Sequence, residues 1–261
     1  MKRKMTGKWS VTIVVALIFA LVVGLAGCGA GKGSGGAAAG NKNELRIGLP
    51  GSMATLDVGQ SGGIIDYYVL AIAQEGLLAV SNDGQLVPGL AESWTVSDDG
   101  KTYVFKLREG VKFSDGSDLA ADDVVYSLMR AQDETQSPGI AGYFPWYIEN
   151  MQTTAVNEVT ITLDAPRPGF LWNMSNAVIT FVSSEKSLRE AGTYGSPTDL
   201  ITGTGPYKPS EFEPGSHVTF VRSDTWRGEA PVFDTIRFDF IEDTNTRLLA
   251  FQNGEDRKSV V

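Results

Sequence analysis

The sequence holds one cysteine and one histidine in 261 residues. A lone cysteine forbids an intrachain disulfide, so stability has to come from packing. One histidine and one cysteine leave no cluster of nitrogen and sulfur ligands for a transition metal, so neither a metal nor another cofactor is expected. Positive charge is also scarce. There are 22 Lys and Arg against 31 Asp and Glu, and Lys2, Arg3, Lys4 and Lys8 all precede the first apolar run. Without those four the balance is 18 − 31 = −13, which argues against nucleic acid as a partner. No strand-linked Gly-x-x-x-x-Gly-Lys-Ser/Thr unit, no Gly-x-Ser-x-Gly elbow and no internal repeat is visible. His217 falls in a predicted hairpin strand, without an evident nucleophile and orienter.

A long apolar run is missing too, but a short one is present. Val11–Val23 is apolar except for Thr12 and extends to about Ala26, short of the roughly 20 residues a membrane-crossing helix needs. Behind a basic start this has the form of a signal peptide, with a membrane span as the competing reading. Leu25-Ala26-Gly27-Cys28 resembles the lipobox of bacterial lipoproteins. That resemblance implies a signal peptide over 1–27, cleavage before Cys28 and acylation of its sulfur and new N-terminus. More than one acyl chain gives stable attachment to a membrane. Residues 28–43 form a linker, because Gly29–Gly40 is nearly all Gly, Ala and Ser and cannot bury apolar surface.

From Glu44 the pattern is mixed α and β. Leu45, Ile47 and Leu49 alternate as in a strand ending at Pro50-Gly51. Ile64, Tyr67, Tyr68, Ala71 and Ile72 predict a helix between Ile64 and Gln74. Strands are expected at Gly76–Val80, Trp94–Val96 and Tyr103–Leu107, with turns at Asn82-Asp83-Gly84 and Ser97-Asp98-Asp99-Gly100. A further short strand is expected between Arg108-Glu109-Gly110 and Ser114-Asp115-Gly116. Asp118 reads as the cap of a helix over Ala120–Gln132, with Val124, Val125, Leu128 and Met129 on one face. Hairpins follow at Thr153–Leu163 and Tyr207–Arg222. Helices are expected near Gly169–Asn176 and Ser184–Ala191, then an alternating strand at Ile236–Ile241 and a helix that Asp243 can cap.

The succession Glu75-Gly76-Leu77-Leu78, Val87-Pro88-Gly89-Leu90-Ala91-Glu92-Ser93-Trp94, Asp98-Asp99-Gly100-Lys101-Thr102-Tyr103 and Val111-Lys112-Phe113-Ser114-Asp115-Gly116 carries a family resemblance. It continues as Ala121-Asp122-Asp123-Val124-Val125-Tyr126-Ser127 and Gly203-Thr204-Gly205-Pro206-Tyr207. Together these resemble the extracellular solute-binding proteins of the peptide, nickel and opine ABC importers. The resemblance implies a two-lobed periplasmic-binding-protein-like fold with an inserted β-rich subdomain. Residues 44–74 and 200–255 would belong to the first lobe and 75–199 to the insertion, with the second lobe missing. Most of the motif residues have structural jobs in turns, caps and half-buried strands. Gly203-Thr204-Gly205 reads as a turn crossing between lobes.

The implied activity is non-covalent capture of a peptide or similar small solute, closure of the lobes, and delivery to ABC permease subunits. Backbone pairing to an extended peptide would give affinity tolerant of side-chain identity. Candidate ligand contacts are Ser52, Met53 and Thr55 after the first strand, Tyr67 in the next helix, and Tyr143 and Trp146 in an aromatic group. Two alternatives stay open: a solute sensor of the same fold, and a secreted lipid-anchored hydrolase using paired carboxylates. The tail Asp256–Val261 departs from the family pattern. Its six residues back-translate into the start of a common sequencing adapter, so they are expected to be non-native.

Overall fold

A computed structural model describes residues 43–145, 147–175, 180–190 and 193–255. The order is β1 (Glu44–Leu49), α1 (Ile64–Leu70), β2 (Leu78–Val80), β3 (Leu86–Pro88), β4 (Ala91–Val96), β5 (Thr102–Leu107) and α2 (Ala121–Gln132). After a 3-10 turn at Ala141–Tyr143 come β6 (Ile148–Ala155), β7 (Glu158–Leu163), α3 (Phe170–Met174) and α4 (Glu185–Glu190). The described part ends with β8 (Tyr207–Glu213), β9 (His217–Arg222), β10 (Thr235–Phe240) and α5 (Thr244–Gln252). The fold is the mixed α and β class expected from the sequence.

Two four-stranded sheets organise these elements, one ordered β4-β5-β7-β6 and the other β1-β10-β9-β8. The first is antiparallel throughout. Its inward residues Tyr103, Phe105, Val159 and Ile161 meet Val124 and Leu128 of α2 and Phe170 of α3 in one apolar core. Tyr103 and Phe170 stack obliquely with ring centroids 4.5 Å apart. Each such fully buried side chain contributes about 1.5–3 kcal/mol.

The second sheet joins distant parts of the chain. β1 runs parallel to β10, with Leu45 opposite Ile236, Ile47 opposite Phe238 and Leu49 opposite Phe240. β10, β9 and β8 then pair antiparallel. Pro209 is tolerated in β8 because that strand is an edge and the register shifts between Pro209 and Glu211. Val218, Phe220 and Phe238 pack with Leu70, Val69 and Met53 in a second apolar core. Phe220 and Phe238 meet edge to face at 6.0 Å, a favourable aromatic geometry.

Several local expectations shift. α2 is not capped by Asp118, which pairs with Lys112 instead. Ala120 is the N-cap, and Asp123 at the third helical position reaches back to accept from the Ala120 N–H at 2.8 Å. Val124, Leu128 and Ala131 form the buried stripe while Met129 is exposed, as the 3.6-residue period requires over this length. Lys112 and Asp118 form an isolated bridge rather than a strand, closed by Phe113 N–H to Ser117 at 2.8 Å and turned by Gly116 at φ +90°. α1 stops at Leu70 rather than Gln74, and beyond its end the carbonyls of Ile72 and Ala73 accept from Tyr207 and Gly205. Asp243 caps α5 as expected, accepting from the Thr246 N–H at 2.8 Å.

Candidate functional site

The loop from Pro50 to Gly63 lies where the two cores meet, since Val58 packs against both. It is fixed at several points along its length. Gly215 N–H donates to the Met53 carbonyl at 3.0 Å, and Leu56 N–H donates to the Gly195 carbonyl at 2.8 Å. Gly195 has φ +81°, and a β-carbon there would stand 2.3 Å from the Asp57 nitrogen. Only glycine combines that backbone conformation with so close an approach. Further on, Gly139 N–H donates to the Gly59 carbonyl at 2.9 Å, and the Gln60 amide donates to the Gln136 carbonyl at 2.8 Å.

The strongest fixing contact is ionic. Arg130 of α2 grips Asp57 with two hydrogen bonds, Nη1 to Oδ1 at 3.0 Å and Nη2 to Oδ2 at 2.6 Å. Asp57 is 3% exposed, and its Oδ1 also accepts from the Gly59 N–H at 3.0 Å. Burial opposes the Arg130 charge, but the hydrogen bonds and attraction of Asp57 outweigh it and raise the Arg130 pKa. A buried pair of this kind is costly to break from one side because the remaining charge is stranded.

Beside the pair lies a polar network. Gln74 Nε2 and the Tyr194 hydroxyl each donate to Ser183 Oγ at 2.7 Å, and Ser127 Oγ accepts from the Ser183 N–H at 3.1 Å. Burial pushes the Tyr194 hydroxyl well above its ordinary range. The polar side chains Asp57, Arg130, Ser127 and Gln74 were not singled out from sequence. A usable signal was present in α2, where Ser127 lies on the inward stripe and Arg130 follows three positions later.

The sequence candidates are placed unevenly. Ser52 is exposed next to the Gly215 turn. Met53 is 1% exposed and packs in the second core. Thr55 is half-buried, accepting from the Asp57 N–H at 3.1 Å and donating to the Gly195 carbonyl at 3.4 Å. Tyr67 is half-buried against the first core with its hydroxyl enclosed. Burial first, then the neighbouring Tyr143 and Asp66, raise the Tyr67 pKa. Tyr143 is 70% exposed. Thr55 thus faces the Gly195 turn and Met53 faces the interior. Trp146 and Cys28 lie outside the described residues, as do 1–42 and the tail 256–261.

His217 is 6% exposed in β9, with Nδ1 3.0 Å from Ser216 Oγ and Nε2 3.4 Å from Glu211. Among the described residues no group of three or more His, Cys, Asp or Glu side chains is placed to hold a metal ion. No described helix is long and apolar enough to cross a membrane.

Residues 85–256 match the model of bacterial extracellular solute-binding proteins, family 5 middle. The dipeptide-binding protein DppE of Bacillus subtilis is 31% identical over 69% of this chain and 36% of its own length. The glutathione-binding protein GsiB of Escherichia coli K12 is 31% identical over 89% of this chain and 45% of its own. The structure of the PBP/SBP MoaA of A. tumefaciens R10 in complex with mannopinic acid aligns with a TM-score of 0.75 at 28% identity. That alignment covers 83% of this chain and 44% of MoaA. The chain thus spans less than half the length of the curated relatives it matches. With the family model covering most of the sequence and the fold agreeing, the chain belongs to the bacterial extracellular solute-binding proteins of family 5.

Proposed function

We propose that this chain forms part of the substrate-binding lipoprotein of an ABC importer, which captures peptides or similar small solutes outside the membrane and delivers them to permease subunits. The match over residues 85–256 carries this reading, and relatives named for dipeptide and glutathione binding support peptide-like solutes. Binding is non-covalent, with no bond made or broken in the solute. The second sheet and its core, residues 44–74 and 200–255, serve as part of the first lobe, and 75–199 as the inserted subdomain. Ser52, Thr55, Tyr67 and Tyr143, together with Trp146, are the candidate ligand contacts. Met53 supports the loop from behind. Cys28 carries the lipid that holds the protein at the outer face of the cytoplasmic membrane.

The test is purification of the protein from its native membrane, denaturation, and mass spectrometry of the released solute. Short peptides or related small amphoteric compounds are expected. Release of none, together with no thermal stabilisation by a dipeptide library, would refute the reading. The anchor is checked separately by labelled palmitate, which should enter the wild-type protein and be absent from Cys28→Ala.

A further inference from the structure

The junction between the two cores contains a small polar cavity next to the Asp57–Arg130 pair. Its volume is about 20 Å³, and Gln74, Ser127, Arg130, Ser137 and Tyr194 line it. Two of these side chains bring buried polar atoms that have no protein partner, Gln74 Oε1 and Ser137 Oγ. Gln74 is 3% exposed and Ser137 is 0% exposed. An unsatisfied buried polar atom is destabilising, so two at one cavity are a substantial uncompensated cost unless something joins them.

We propose that this cavity binds one structural water, which donates to Gln74 Oε1 and hydrogen-bonds Ser137 Oγ, linking the end of α1 to the turn after α2. The size fits, because a single water needs about 10–15 Å³ of such volume and two or more polar partners. An anion is disfavoured, since the Arg130 guanidinium is engaged twice by the Asp57 carboxylate. An apolar occupant would leave both polar atoms unpaired. The Gln74 amide is already oriented, as its nitrogen donates to Ser183 Oγ at 2.7 Å, which leaves its oxygen to accept. Ser137 is held by its own N–H, which donates to the Asp133 carbonyl at 2.7 Å. Both ends of the bridge are thus positioned by contacts independent of the water. The joint between the cores is a hydrated polar seam, and this holds whichever solute the protein binds.

A crystal structure of the whole chain, at a resolution that places waters, tests this directly. An ordered peak is expected within about 2.6–3.2 Å of both Ser137 Oγ and Gln74 Oε1. Absence of that peak, or pairing of both atoms with protein groups instead, overturns the proposal. In solution, oxygen-17 relaxation dispersion counts long-lived internal waters, and Ser137→Ala should lower the count by one. An unchanged count in a folded Ser137→Ala protein also overturns it. The crystallographic measurement needs no variant and stands if Ser137→Ala does not fold.

Discussion

The sheet β4-β5-β7-β6 takes its four strands from residues 91–163, whereas the sheet β1-β10-β9-β8 pairs Glu44–Leu49 with Thr235–Phe240. The first closes through hairpins and one helix that packs over it. The second requires the chain to return across the whole described length, with Asn43 hydrogen-bonded to Asp234 191 positions later. Long-range pairing of this sort must overcome loop-closure entropy before its contacts give any return. The second core should therefore depend on the seam that gathers the intervening chain, while the first should tolerate more damage there. The seam has two parts, the Asp57–Arg130 grip and the backbone contacts of Gly203 and Gly205 against Ala73.

Breaking the grip should have the largest effect. Arg130→Met leaves the Asp57 carboxylate buried without its partner and is expected to cost about 3–5 kcal/mol, read as a lower urea midpoint. Asp57→Asn combined with Arg130→Met should recover much of that loss, since no charge is then stranded. Hydrogen exchange sharpens the comparison. The Phe220 amide of β9 should lose more protection than the Phe105 amide of β5. Equal losses would show that the two cores unfold as one unit.

The legibility of the fold follows the same divide. Hairpin strands such as Tyr103–Leu107 and Val159–Leu163 could be read from alternation and turn residues because their partners are nearby. The parallel pairing of β1 with β10 could not, since alternation in Leu45, Ile47 and Leu49 gives a strand without naming its neighbour. The segment after α1 has equally distant partners, since the carbonyls of Ile72 and Ala73 are taken by residues more than 130 positions later. At the candidate site, the loop after β1 stands out in the sequence by its place after the first strand, but its fixing partners Arg130, Gly195 and Gly139 come from separate segments. Met53 looked no different from Ser52 in sequence, and only the fold puts it 1% exposed in a core.

Crowding the seam should come next in size. A β-carbon at Gly203 would stand 2.0 Å from the Ala73 carbonyl oxygen, so backbone must move. Gly203→Ala is expected to destabilise by about 1–3 kcal/mol, the usual range for overpacking. Gly142→Ala is the matched control, because open space surrounds that position and its effect should stay within about 0.5 kcal/mol. Thermal denaturation of the two variants separates them. Similar melting temperatures would mean that the close approach at Ala73 is not a constraint, and the dependence of the second core on the seam would lose its main steric support.

The smallest effect is expected on the first core's side of the seam, where the contacts are local. Asp133, at the C-cap of α2, accepts from the Thr135 hydroxyl at 2.6 Å and N–H at 2.8 Å and from the Gln136 amide at 2.7 Å. The Thr135 hydroxyl first, then Gln136, hold its carboxyl down to about 2 from an ordinary 3.8. A depressed carboxylate adds stability above its unfolded value and loses it as pH falls through the folded one. The difference in stability between wild type and Asp133→Asn should therefore be constant above about pH 5 and shrink between about pH 4 and 2. Carbon-13 titration of the Asp133 carboxyl should show the same midpoint near 2. A midpoint at the ordinary carboxylate value would mean the turn does not hold Asp133 in solution, and with it the support for the Ser137 backbone would be weaker than the geometry indicates.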